Sequence, residues 1–73
     1  MEELFAILKE IIPNIDFKQE HHLVDEKILT SMNIIKLVAK LNETFDIKIT
    51  PMHLTANNFN SIEAIYALIK KLS

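Results

Sequence analysis

Three stretches of this chain repeat apolar residues at intervals of three and four, and that spacing leaves little choice of fold. Leu4, Ile7, Leu8, Ile11 and Ile12 form the first set, widened by Phe5. Ile34, Leu37, Val38, Leu41 and Phe45 form the second. Ile62, Ile65, Ile69 and Leu72 form the third, flanked by Tyr66 and Leu68. Side chains at this period share one side of an α-helix, so each stretch predicts a helix with a face to bury. Such helices satisfy one another by packing face to face. The expected fold is all-α: a four-helix bundle of three main helices plus a short third helix, with a long loop between the first and second.

The boundaries follow from local chemistry. Pro13 disfavours helical backbone at Ile12, so the first helix should end there. "PNIDFKQEHHLVDEK" follows as a loop, with Ile15, Phe17, Leu23 and Val24 expected to peg it onto the core. Loops of this length without structure of their own are uncommon in compact domains and are often functional. Thr30 suits the N-cap of the second helix, because its hydroxyl can accept from a free backbone N–H of the first turn. "DIKI" reads as a connection. Thr50 and Pro51 read as N-cap and first helical residue of a short helix through Met52, His53 and Leu54. "NSIE" opens the last helix, with Asn60 as cap and Glu63 in the place of a capping-box acid. No repeat, linker or low-complexity tract intervenes, so residues 1–73 should form a single domain.

Composition removes several kinds of function. A chain of 73 residues lies near the lower end of what one hydrophobic core holds together, and without cysteine neither a disulfide nor a thiolate metal site can help. Without glycine there is no Gly-rich phosphate loop, and tight turns must fall on Asn, Asp and Pro. The net charge is −2, and the side-chain cations other than histidine are all lysine. A basic stripe with Arg forks is missing, so no nucleic-acid partner is expected. No apolar run approaches the ~20 residues of a membrane span. "MEELFAILKE" lacks the cationic start of a secretory signal, so a cytoplasmic location is expected. His21, His22 and His53 show no metal-ligand spacing, and the first two read as solvated loop residues. No histidine or carboxylate stands in a readable base-to-nucleophile relation to a serine, so no catalytic residue is assigned and the chain is not read as an enzyme. Phe45, Phe59 and Tyr66 read as core.

The stretch "ILTSMNIIKLV" stands out. It places Ser31 where loop becomes helix and follows it with more apolar residues than one buried face needs. At about 100° per residue, Met32, Ile35 and Ala39 fall nearly opposite the core-facing set, beside Lys36 and Glu43. Scattered surface apolar residues are ordinary, but a second apolar face also suits docking, and methionine adapts well to varied partners. Ser31, at the first helical position, should expose its hydroxyl. A phosphate ester there would be favoured by the unpaired N–H groups and the dipole of the helix start, although serine is also common at helix starts simply as a cap.

The stretch "DEKILTSMNIIKLVAKLNETFDIKI" resembles the centre of acyl and peptidyl carrier proteins. These carry an Asp-Ser-Leu or Asp-Ser-Met motif at the head of their second helix, then an apolar helix, an acidic residue, Phe and a short connection. "LTANNFNSIEAIYALIKKL" is similar to the family's third loop and fourth helix, so the likeness spans nearly the whole chain. It is strongest to small stand-alone carriers, including those served by amino-acid-activating ligases, such as the D-alanyl carrier proteins. The resemblance implies a four-helix bundle whose motif serine, here Ser31, takes 4'-phosphopantetheine from coenzyme A through a magnesium-dependent phosphopantetheinyl transferase. The arm's thiol would hold an acyl or aminoacyl thioester. Further partners would be the activating ligase and downstream acyltransferases or synthases, as in fatty acid or secondary metabolite biosynthesis. The carrier would act as a monomer and dock through Thr30, Met32, Ile35, Lys36 and Ala39.

Two departures from the family stand out. Thr30 occupies the place of the Asp that helps dock the transferase and its metal, and it keeps the cap without the charge. Lys36 and Lys40 lie on the side of the second helix that is often acidic in the family. Docking here would rest more on Met32, Ile35 and Ala39 and less on long-range steering. Thr30 also keeps open a second reading, an unmodified carrier-like module that binds a protein partner through the second helix.

Overall fold

The computed structural model of the chain describes residues 2–17 and 19–73. Helix α1 spans Glu2–Ile11, α2 Ser31–Phe45, α3 Ala56–Phe59 and α4 Ile62–Leu72, with a 3₁₀ turn at Pro51–His53 between α2 and α3. There is no strand among the described residues. Helix α1 packs against both α2 and α4, and α3 packs against α4. Leu4 and Leu8 from α1, Leu37 and Leu41 from α2, Phe59 from α3 and Ile65 from α4 are fully buried. The all-helical bundle expected from the spacing of apolar residues is the observed one.

The long loop, residues 12–30, is held by its own apolar residues. Phe17, Leu23 and Leu29 are buried, while Ile15 and Val24 are half-buried. Phe17 meets Phe5 of α1 edge to face, with centroids 6.2 Å apart. That geometry suits the ring quadrupoles and explains why Phe5 widens the stripe of α1. Leu29 is a core residue that lies outside the helical repeats. Its backbone N–H donates to the Leu23 carbonyl at 2.8 Å, closing the loop just before α2.

The chain lacks glycine, so its left-handed backbone positions fall on other residues. Asp46, at φ 53°, ends α2 and donates its N–H to the Asn42 carbonyl. Asp tolerates that region better than most residues, so this turn follows expectation. Lys27, at φ 60°, does not: its side chain carries none of the local hydrogen-bonding advantage of Asn or Asp. After Asp46 the remaining residues of "DIKI" are neither helix nor strand, the connection expected. Ile47 and Ile49 are buried in the core and Lys48 is exposed.

Two local expectations need correction. The third helical segment is divided. Pro51–His53 form only a 3₁₀ turn, in which the Thr50 N–H donates to His53 Nδ1 at 2.9 Å. Leu54 then leaves helical backbone (φ −84°, ψ 70°), and Asn58 Nδ2 occupies the His53 carbonyl at 2.9 Å. The α-helical part comes later, at Ala56–Phe59. Secondly, Ser61 rather than Asn60 caps α4, its Oγ accepting from the Ala64 N–H at 3.1 Å. Asn60 is drawn away by the long loop, whose backbone donors need acceptors. In α4, Leu68 is buried with Ile62, Ile65 and Ile69 rather than flanking them, and Leu72 is half-buried.

Candidate functional site

Thr30 stands at the entry of α2 in extended backbone, and its Oγ1 accepts from the Asn33 N–H at a long 3.4 Å. Asn33 Nδ2 reaches back to the Ile28 carbonyl at 3.5 Å. The next residue, Ser31, begins the helix and is exposed. Among the described residues its hydroxyl has no hydrogen-bond partner. The task of capping belongs to Thr30, which leaves Ser31 free. No acidic residue stands in the first turn of α2, so no carboxylate there offsets the positive end of the helix dipole.

Below Ser31 the outward side of α2 is apolar. Met32 is 72% exposed and Ile35 67% exposed, with Lys36, Ala39 and Lys40 exposed beside them. Helix α2 buries only Leu37 and Leu41, and Ile34, Val38 and Phe45 are half-buried.

Between α2 and the segment that follows it runs an open groove of ≈ 320 Å³. Ile35, Val38, Ala39 and Asn42 form one wall, and Ile49, Thr50, Pro51 and Leu54 form the other. Residues 31, 35, 38 and 42 share one side of the helix, so the groove opens one turn beyond Ser31, about 6 Å along the axis. Asn42 joins the walls: its Oδ1 accepts from the Ile49 N–H at 2.9 Å. Beyond the groove, Met52 is 88% exposed.

Of the residues picked out from sequence, Ser31, Ile35 and Ala39 therefore lie along one strip. Thr30 is at its head, and Met32 and Lys36 stand exposed beside it without lining the groove. Sequence reasoning missed the far wall. Ile49, Pro51 and Leu54 carry no spacing that relates them to α2. The one available signal was Asn42, a polar residue late in an amphipathic helix just before a glycine-free turn.

The histidines take local roles. His53 Nδ1 lies 3.1 Å from the Thr50 hydroxyl as well as accepting the Thr50 N–H. His21 faces Glu63 at 3.8 Å and His22 faces Asp25 at 3.7 Å, all largely exposed. No described helix is long and apolar enough to cross a membrane.

An exposed serine free of capping duty, above an apolar groove, suits a long flexible group attached through a phosphate ester. Among the described residues none bonds the hydroxyl, and the groove begins one turn further along α2. Comparisons with known proteins give the family and the kind of group it carries. The family described as "Phosphopantetheine attachment site" matches residues 2–69. Two D-alanyl carrier proteins of Lactococcus lactis subsp. cremoris, from strains MG1363 and SK11, are each 29% identical over 72 residues, covering 96% of this chain and 91% of theirs. No solved structure matches.

Proposed function

Because the chain belongs to the family of carrier domains with a phosphopantetheine attachment site, we propose that Ser31 is the attachment residue and that the chain presents an acyl or aminoacyl cargo to partner enzymes. The observation that carries this reading is the exposed, unpartnered Ser31 hydroxyl at the first position of α2. In the modification, Ser31 Oγ forms a bond to the phosphorus next to the pantetheine of coenzyme A. The bond from that phosphorus to the bridging oxygen breaks, and adenosine 3',5'-bisphosphate leaves. The hydroxyl proton passes to a base of the transferase. Once attached, the arm supplies a thiol that holds cargo as a thioester, and the enzymes around it supply the chemistry.

This chain's own residues would position and shelter. Ile35, Val38 and Ala39 offer apolar contact one turn below the attachment point. Thr30, Met32, Ile35, Lys36 and Ala39 are the proposed docking surface for the transferase, the activating ligase and downstream acyltransferases or synthases. The names of the Lactococcus relatives favour an aminoacyl cargo loaded by an amino-acid-activating ligase. Residues 1–73 as one carrier domain, a monomeric state and a cytoplasmic location belong to the same proposal.

Thr30 in the place of the family's Asp favours a second reading, an unmodified module that binds partners through α2. Intact mass after incubation with coenzyme A, Mg²⁺ and a broad-specificity phosphopantetheinyl transferase separates the two. The carrier reading expects a gain of one phosphopantetheinyl group in the wild type and none in Ser31→Ala. A wild type that gains nothing from several transferases supports the second reading. A Ser31→Ala protein that still gains the group moves the site elsewhere.

A further inference from the structure

Asn60 sits at the corner between α3 and α4, far along the chain from Ser31, yet it binds the loop that delivers Ser31. Its carbonyl accepts from the Leu23 N–H at 2.8 Å. Its Oδ1 accepts from the Val24 N–H at 2.9 Å and the Asp25 N–H at 3.1 Å. Its Nδ2 donates to Asp25 Oδ2 at 3.1 Å. The amide orientation is determined, because two backbone donors require the oxygen on one side and a carboxylate requires the nitrogen on the other. Leu23 in turn accepts from the Leu29 N–H at 2.8 Å, and Leu29 is buried two residues before Ser31.

We infer that Asn60 is a positioning residue for Ser31, fixing through residues 23–25 and Leu29 where the loop ends and α2 begins. The inference rests on the reading of Ser31 as the attachment residue. Near this point the loop is otherwise anchored by the buried Leu23 and Leu29 side chains and by its own turn bonds, Glu26 N–H to the His22 carbonyl at 2.8 Å and Lys27 N–H to the Val24 carbonyl at 3.0 Å. Asn60 is what ties its backbone to another part of the fold. Thr30 makes only a long cap bond, and Lys27 holds a left-handed backbone that local chemistry does not favour. A conformation of that kind persists where its surroundings over-determine it. Lys27 donates its N–H to the Val24 carbonyl at 3.0 Å, and Asn60, with four hydrogen bonds to residues 23–25, holds that acceptor's segment in place. His22, which faces Asp25, is the other charged or titratable neighbour of the clasp shown by these contacts.

Asn60→Asp tests the clasp with little change of shape. It keeps both acceptors for the backbone donors and replaces the donor toward Asp25 by a second carboxylate. Adding Asp25→Asn returns a donor to the pair. Each protein is assayed with coenzyme A, Mg²⁺ and a broad-specificity transferase at a temperature where denaturant melts show it folded. Amide exchange at Leu29 is followed in parallel. Asn60→Asp should lower kcat/KM for modification about tenfold, a shift well short of the roughly hundredfold that a ~1 Å misplacement of a reacting group can cost. It should also speed exchange at Leu29. The double variant should return to within about twofold of wild type, as a direct pairwise interaction requires. A merely structural role predicts that folded variants react alike. A folded Asn60→Asp protein modified at the wild-type rate overturns the inference, as does failure of the double variant to recover. If no protein gains mass, wild type included, the attachment reading falls. Leu29 exchange then decides the clasp on its own, with unchanged exchange in Asn60→Asp overturning it.

Discussion

Helix α4 buries Ile62, Ile65, Leu68 and Ile69 within its 11 residues, whereas the 15 residues of α2 bury only Leu37 and Leu41. Both helices are rich in apolar side chains. The difference is that α4 packs against both α1 and α3, while α2 packs chiefly against α1 and keeps the side bearing Met32 and Ile35 exposed. The exposed apolar residues of α2 are Met32, Ile35 and Ala39; Ile35 and Ala39 line the groove below Ser31 and Met32 stands beside it. One helix thus uses its apolar residues for stability. The other uses a few for stability and holds the rest at the surface, where a partner or an attached arm can meet them.

The sharpest break of that comparison would come from the buried positions. Leu41→Ala in α2 and Ile65→Ala in α4 should each lose ~2–5 kcal/mol, as truncation of a fully buried aliphatic side chain does. Urea melts measure this. A mild Leu41→Ala would mean that α2 is held to the bundle by something other than its buried leucines.

Asn42→Ala should come next. It removes the acceptor of the half-buried Ile49 N–H, and an unsatisfied donor costs about 1–3 kcal/mol. Amide exchange at Ile49 should rise with the loss of stability. Protection of Ile49 unchanged in Asn42→Ala would show that the far wall of the groove stands without α2.

Asp46→Gly should run the other way. Glycine carries no Cβ penalty in left-handed backbone, so the end of α2 should gain about 1 kcal/mol. A lower urea midpoint would show that the Asp46 side chain does more than tolerate the turn.

The smallest effect on stability is expected at Ile35. Ile35→Glu should move the midpoint by no more than about 0.5 kcal/mol, because the side chain is 67% exposed. It should still slow loading by the partner ligase, which separates a docking residue from a core residue. If it melts the protein as badly as Leu41→Ala, the open side of α2 is core after all. Thr30→Asp should not lower stability, since Asp caps at least as well as Thr, while raising the initial rate of modification by a transferase. An equal or slower rate would mean that the transferase contact here does without that charge.

Much of this molecule was legible before its structure. The helix period located α1, α2 and α4, and Thr30 could be read as a cap because a hydroxyl before an apolar helix has one obvious use. Exposure of Met32 and Ile35 followed from angle alone. Asn60 was misread for a physical reason: Asn and Ser are both good caps, and nothing local tells which of two neighbours will be claimed by a distant loop. The groove was invisible because half of it comes from residues 49–54, whose regular part is a single 3₁₀ turn at Pro51–His53, too short to leave a spacing in the sequence.

By itself, then, the sequence determined the elements that depend on neighbours along the chain: the period of each helix, the caps that compete with nothing distant, and an exposed serine at the head of an apolar helix. Tertiary structure alone decided which of two adjacent polar residues caps α4, how Asn60 ties residues 23–25 to the α3–α4 corner, and that Asn42 holds Ile49 across a groove beside Ser31. The reason is the same in each case. A backbone donor must find an acceptor somewhere, and when that acceptor lies dozens of residues away or across a turn, only the folded chain brings the two together.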